Sequence, residues 1–489
     1  MKNVLLSLFV IPLLNFSQVQ IGQDINGESI GDESGFSVSL SSNGKFLAVS
    51  SINNSSNGSL SGHVRVYENV SGVWTQIGQD IDGEAAGDWS GFSISLSSNG
   101  SILAIGAVRN SGNGALSGHV RVYENISGVW TQIGQDIDGE APDDQFGYAI
   151  SLSSNGAILA VSSTRNFGNG AYSGHVRVYE NVSGVWTQIG QDIDGEAAGD
   201  QSGYSLDLSS DGTIAAIGAF KNDGNGTDSG HVRVYENISG VWTQIGQDID
   251  GEAANDFCGR SLSLSSNGNI LAIGATQNSG NGNQSGHVRI YENVSGVWTQ
   301  VGQDIDGEAA IDISGYSVSL SSDGSIVVIG SPLNDDTGID AGHVRVYKNI
   351  NSVWTQIGQD IDGEAADDRF GFSVSISSNG EILAIGGIGN DGNGANSGHT
   401  RVYNLSNLLS LQEQSILNFK LYPNPTKNQF TIQLNDYLKL ENVNIYDNLG
   451  KLVLSLKETI IDTSKLSSGL YVVEVETESG KQTKKLIIE

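Results

Sequence analysis

Carboxylates are the chemistry-bearing residues that recur most regularly in this 489-residue chain. Asp80-Ile81-Asp82-Gly83-Glu84 is followed by Asp88, and Asp136-Ile137-Asp138-Gly139-Glu140 by Asp144, so acids occupy positions 1, 3, 5 and 9 of a short segment. The segment occurs seven times, with Asn26 replacing the second acid in the first copy. Closely spaced carboxylates beside a glycine are a donor set that calcium takes. On that reading Asp80, Asp82, Glu84, Asp88, Asp136, Asp138, Glu140 and Asp144 are candidate Ca2+ ligands. The glycine stands at position 4, however, and not at the position 6 of an EF-type loop. The competing reading, which the spacing favours, is a solvated linker whose Asp side chains cap backbone N–H groups. The histidines His63, His119, His175, His231, His287, His343 and His399 fall once per copy. One imidazole per copy makes no local ligand cluster, so they read as structural.

A second constellation is basic and aromatic. Arg109, Arg165 and Lys221 occupy equivalent positions in three consecutive copies, where the others carry Asn53, Gln277, Leu333 and Gly389. Leu116, Phe167, Tyr172 and Phe220 lie in or beside the same loops. Such a cluster on an acidic surface suits an anionic or glycan ligand; ordinary drift between duplicated units is the alternative. No nucleophile–base pair, phosphate loop or metalloprotease motif occurs. The sequons at Asn69, Asn125, Asn181, Asn237 and Asn293 sit within a tight turn and read as turn chemistry. Acids outnumber bases by 55 to 24, a net charge of −31, which argues against nucleic acid as a partner. The single cysteine, Cys258, excludes an intrachain disulfide framework.

The elements that position these residues follow from an internal repeat. Gln-Ile/Val-Gly-Gln-Asp-Ile begins at Gln20, Gln76, Gln132, Gln188, Gln244, Gln300 and Gln356, always 56 residues apart. In the second copy, Phe92, Ile94 and Leu96 alternate with serines, the period of a strand. Ser98-Asn99-Gly100 supplies a hairpin, and Ile102–Ala107 is an apolar strand. A Gly/Asn/Ser loop leads to a strand from His119, and an Asn125–Gly128 turn leads to a fourth at Val129. Trp74, Trp130, Trp186, Trp242, Trp298 and Trp354 are expected to fill the gaps between units. Seven four-stranded units are an all-β, seven-bladed propeller if the ring closes. Closure is expected because Val19–Gln23 lacks a preceding Trp strand, while Arg401–Tyr403 lacks a following one. With the first strand of each blade innermost, the acidic loops and the loops bearing Arg109 share one face.

The ends carry a different message. Residues 1–17 have Lys2, an apolar run to Leu14 and a small residue at Ser17, the pattern of a signal peptide. The propeller is assigned to 18–405 and a linker to 406–418. From 419 to 489 the charge is balanced and short alternating segments indicate a small β-sandwich. No segment after the signal is long enough to span a membrane.

Two resemblances refine this reading. Phe146-Gly147-Tyr148, Phe370-Gly371-Phe372 and Ile329-Gly330-Ser331-Pro332 resemble the FG-GAP blades of integrin α-subunit propellers. That resemblance implies adhesion or ligand binding. Classical members hold calcium in the first hairpin of a blade, but here that hairpin is only Ser-Ser-Asn-Gly or Ser-Ser-Asp-Gly, so the site does not carry over. The stretch from Leu421-Tyr422-Pro423-Asn424-Pro425 through Gly450, Gly469 and Tyr471 to Lys484-Lys485 resembles the type A sorting domain of the type IX secretion system. It implies recognition by that machinery and passage through the periplasm and outer membrane of a Gram-negative bacterium. The expectation is a secreted or surface-held, monomeric, non-enzymatic propeller that binds an extracellular glycan or protein. A polysaccharide lyase or hydrolase is the alternative.

Overall fold

The computed structural model describes residues 18–409, 419–434, 439–448, 450–477 and 480–489. The expected signal peptide and residues 410–418 of the expected linker lie outside them. The chain divides into two units, one of them Ser17–Leu405, the other containing Ser406–Glu489.

The first unit is seven antiparallel sheets. Blade 2 is representative: Ser90–Leu96, Ile102–Ala107, His119–Ile126 and Val129–Gln132 are hydrogen-bonded in that order. A two-residue strand, Ile137–Asp138, adds to the far end of the third strand, pairing Asp138 with His119. Blades 1 to 6 begin at Val38, Ser90, Ile150, Ser205, Cys258 and Ser317. Blade 7 is composite, with Phe370–Ile376, Ile382–Gly387 and His399–Asn404 completed by Val19–Gln20 from the start of the chain. Val19 pairs with Asn404 and Gln20 with Tyr403, and the Ile21 N–H donates to the Val402 carbonyl at 2.7 Å. The ring is closed.

Two circuits of hydrogen bonds seal its centre. Ser42, Ser98, Ser154, Ser210, Ser266, Ser322 and Ser378 each donate a backbone N–H to the carbonyl of the next, at 2.8–2.9 Å, and Ser378 returns to Ser42. Deeper in the channel each inner strand donates an N–H to a side chain of its neighbour, as Leu96 does to Ser39 and Leu152 to Ser95, both at 3.0 Å. The acceptor is a serine in six blades and Asp207 in blade 4.

Apolar clusters fill the spaces between neighbouring blades. One gathers Val176, Val178 and Ile193 of blade 3 with Leu206, Ile217, Tyr235 and Trp242 of blade 4. All six repeated tryptophans are 3–4% exposed, and each donates its indole N–H to a carbonyl beside the preceding blade, as Trp242 does to Ile189 at 3.0 Å. They wedge the blades apart and satisfy their own polar atom while buried.

The C-terminal unit pairs a three-stranded sheet (Lys420–Tyr422, Gln429–Gln433, Ile460–Asp462) with a four-stranded one (Leu452–Leu456, Leu440–Tyr446, Gly469–Thr477, Gly480–Ile488). Phe430, Ile432 and Ile461 from one and Val443, Ile445, Val473 and Leu486 from the other share a core. The motif residues have local work there. Asn424 donates to the Lys485 carbonyl at 2.8 Å and accepts from the Ile487 N–H at 2.9 Å. The Tyr471 hydroxyl donates to the Ser467 carbonyl at 2.8 Å, and Gly450 takes a left-handed turn at φ +79°. Tyr422 is exposed, and Lys484 lies over the Phe419 ring. Among the described residues no helix is long and apolar enough to cross a membrane.

Candidate functional site

Near the start of each inner strand, at the loop end of the channel, one residue follows a left-handed glycine. These residues are Phe36, Phe92, Tyr148, Tyr204, Arg260, Tyr316 and Phe372. Their side chains form a closed ring. Successive aromatic centroids lie 4.9–5.2 Å apart, and the planes are inclined by 45–51°, close to the one-seventh turn between blades. Arg260 fills the seventh place, its guanidinium carbon 5.2 Å from the Tyr204 centroid and 4.9 Å from that of Tyr316. Burial, and then the neighbouring Tyr204, push the Tyr148 phenol well above its ordinary pKa, so it stays a neutral hydrogen-bonding group. The mouth thus offers ring surfaces, phenols and one fixed cation, all half-buried.

Sequence reasoning treated Phe92 only as strand patterning and missed this ring. The signal was present: an aromatic residue at 56-residue intervals, interrupted once by a basic one.

The predicted basic cluster is only partly assembled. Arg109 stacks 3.3 Å over Trp89, whose ring is parallel to that of Phe92, so this arm leads to the channel mouth. Lys221 lies beside Phe220, and Phe220 packs 4.2 Å from Tyr204. Phe220 is itself buried, which corrects its assignment as a ligand-contacting residue: it braces the ring. Arg165 is paired with Asp143 at 3.0 Å and lies over Tyr172, which packs with the exposed Phe167. Leu116 is half-buried.

The four acids of one loop do not meet at a point, contrary to the calcium expectation. Asp88 is buried and accepts from the Ala85 N–H at 3.0 Å and the Asn110 amide at 3.1 Å. Asp144 does the same for the Ala141 N–H at 2.9 Å. These are capping bonds. Asp80 accepts from Gln76 and, with Asp82, approaches His63, whereas Glu84 reaches a different histidine, His119. What converges instead comes from consecutive loops: Glu84, His119 and Asp136 in one place, Glu140, His175 and Asp192 in the next. Asp138 lies beside Gly112, and burial followed by the nearby Asp136 raises its pKa. An arginine accompanies each cluster, Arg121 pairing with Glu84 at 3.4 Å and Arg177 with both Glu140 and Asp192. Burial, followed by this arginine, lowers His63, His119, His175, His231 and His287 to about 4, so the imidazoles are neutral at pH 7. The first hairpins do not suit calcium either, since the Asn99 carbonyl oxygen is occupied by Ser97 and Ser101.

The opposite end of the channel is a cup of about 160 Å³, floored by Leu40, Leu96, Leu152, Leu208 and Leu264 and rimmed by serines. Asp207 lines it, held by the Leu264 N–H at 2.8 Å and by Ser151 and the Leu208 N–H at 2.9 Å.

Comparison with known proteins bears on blade 7 and the C-terminal unit. Residues 420–489 match the family model of the secretion system C-terminal sorting domain. The C-terminal unit is a sorting domain. Residues 361–403 match the FG-GAP repeat, which covers most of blade 7. The sorting domain makes this a protein exported by the type IX secretion system, secreted or held at the cell surface. Ulvan lyase NLR42 of Nonlabens ulvanivorans is 36% identical over 89 residues, which is 17% of this chain and 16% of that protein. A crystal structure of a putative 6-phosphogluconolactonase from Bacteroides uniformis superposes with a TM-score of 0.48 at 12% identity, covering 85% of this chain and 98% of that one.

Proposed function

We propose that this exported propeller is a non-enzymatic binding protein, acting in adhesion, whose ligand engages the loop-face mouth of the channel. The observation that supports this most is Arg260, set between two tyrosines in an otherwise aromatic ring. Aromatic faces take the apolar faces of sugars, and a guanidinium fork takes a carboxylate or sulfate. The surrounding loops are acidic and disfavour a dense polyanion. The ligand is therefore a largely neutral glycan carrying isolated acidic groups, or a protein surface that bears it.

Binding of the mature chain to arrays of neutral and acidic glycans tests this reading. Arg260→Phe, which completes the aromatic ring, is expected to weaken capture of acidic glycans at least tenfold and leave the melting temperature nearly unchanged. Equal capture by wild type and variant removes the proposal. The second reading, a polysaccharide lyase or hydrolase, is favoured by one feature: Asp207 and Arg260 place unlike groups in a channel that is otherwise symmetric. Release of new chain ends from a polysaccharide by wild type, abolished in Arg260→Phe, would replace the first reading with this one.

A further inference from the structure

Blade 6 departs from the other blades at several positions near its histidine, and one of them adds a carboxylate. Asp336 stands where Gly112, Gly168, Gly224, Gly280 and Gly392 stand in five blades, and Ser56 in blade 1. In consequence Glu308, Asp336, His343 and Asp360 present four ligand atoms, all within 4.8 Å of one another. The glutamate and Asp360 come from consecutive acidic loops, the histidine from the start of the third strand, and Asp336 from the loop before it.

His343 supplies a second, independent observation. Its side chain is fully buried, its Nδ1 faces the Glu308 carboxylate at 3.9 Å, and neither ring nitrogen has a hydrogen-bond partner. A buried imidazole nitrogen aimed at carboxylates without bonding them is costly as it stands. A cation between them would satisfy it. Charge points the same way. Arg177 and Arg401 bridge the glutamate and the aspartate of their clusters, acting as the local cation. Arg345, like Arg65, Arg121, Arg233 and Arg289, pairs instead with its glutamate and a backbone carbonyl, here Glu308 at 3.5 Å and the Asp306 carbonyl at 2.7 Å, so Asp336 adds a carboxylate without an added cation. Three carboxylates and one guanidinium leave an excess of two negative charges, with Asp362 close by on the residue paired to His343.

We propose that blade 6 holds one divalent cation through Glu308, Asp336, His343 Nδ1 and Asp360, and that the site prefers a first-row transition ion such as Zn2+ or Mn2+ to Ca2+. Calcium takes oxygen donors in larger number. An imidazole among carboxylates suits zinc and its neighbours, with bonds of about 2.0–2.2 Å. Contraction of the donors onto the ion would tie two consecutive acidic loops to the rim of the binding face.

The test is calorimetric titration of the chelator-stripped full chain with Zn2+, Mn2+ and Ca2+ separately. Wild type is expected to take up one equivalent of Zn2+ or Mn2+ per chain, with Ca2+ at least tenfold weaker. Asp336→Gly restores the residue found in five other blades and so preserves the fold, which its metal-free melting temperature checks; it should lose at least tenfold in affinity. His343→Gln should lose the preference over Ca2+. Seven equivalents, no saturable uptake by wild type, or uptake by Asp336→Gly equal to wild type would each overturn the site.

Discussion

The two ends of the central channel are made by the same seven strands and could hardly differ more. At the hairpin end the backbone circuit from Ser42 to Ser378 is complete and every member is serine. Neutral hydrogen bonds of one kind hold it. At the loop end the ring of side chains is broken by Arg260, and around it lie neutral buried histidines, ion pairs and the extra Asp336. Duplicated blades begin identical, so the hairpin end shows what closure requires, and the loop end shows where individual blades are free to acquire separate tasks. The serine end depends on geometry; the loop end depends on ionisation.

That contrast is sharpest against pH, where the largest effect is expected. His63, His119, His175, His231 and His287 are held near 4 in the folded protein by burial and the adjacent arginine, whereas an unfolded histidine titrates near 6.5. Between those values the unfolded chain binds more protons, so stability falls as pH falls. Each histidine forfeits up to about 1.4 kcal/mol per pH unit across this window. Urea unfolding at pH 7, 5.5 and 4 should show a steep decline. A flat profile over that range would mean that the loop end does not rest on neutral imidazoles.

The next effect in size concerns the blades themselves. Trp242→Ala removes a buried indole and its bond to Ile189, and should cost about 3–5 kcal/mol, with cavity formation as the cause. The half-buried Trp89 bracket is the control: its indole N–H has no hydrogen-bond partner to lose, so Trp89→Ala should cost less, about 1–2 kcal/mol, while loosening Arg109 at the mouth. Thermal melts of the two variants compare them directly. Similar losses would mean that the two kinds of tryptophan are not distinguished by burial.

Much of this architecture was legible in the chain. The 56-residue period, the alternation in Gly91–Ser97 and the incomplete ends at Val19 and Tyr403 are local patterns, and they led to the strands, the closure and the wedge tryptophans. The sorting domain was legible because Tyr422–Pro425, Gly450 and Tyr471 stand in a fixed order. The site was less so. Carboxylates at positions 1, 3, 5 and 9 look like one ligand set, but Asp80 and Asp82 stay beside His63 while Glu84 has crossed to His119 of the next blade, and Glu84 meets Asp136 only through folding. In sequence Phe220 is a candidate ligand contact because it lies beside the variable loops; burial against Tyr204 is a tertiary fact. The ring through Arg260 needed seven distant positions to be compared as a column, not along the strand.

The smallest effect tests the serine belt where it is itself interrupted. Asp207 takes the place of a serine and accepts the same neighbouring N–H, that of Leu264. Burial raises its pKa despite three hydrogen bonds, so its ionised form is disfavoured in the folded protein. Asp207→Ser restores the belt and should stabilise the protein by about 1 kcal/mol at pH 7. Because the folded pKa is the higher one, this gain should shrink as pH falls through it and wild-type Asp207 takes up a proton. Ser263→Ala, in the next blade, should do the reverse, costing about 1 kcal/mol by leaving the Leu320 N–H without its acceptor. Chemical denaturation of both variants gives the signs. If Asp207→Ser destabilises as Ser263→Ala does, the aspartate is a structural member of the belt. If it stabilises, the hairpin end also carries one residue kept at a cost to stability, and the line between a symmetric scaffold end and an individualised loop end has a single exception at blade 4.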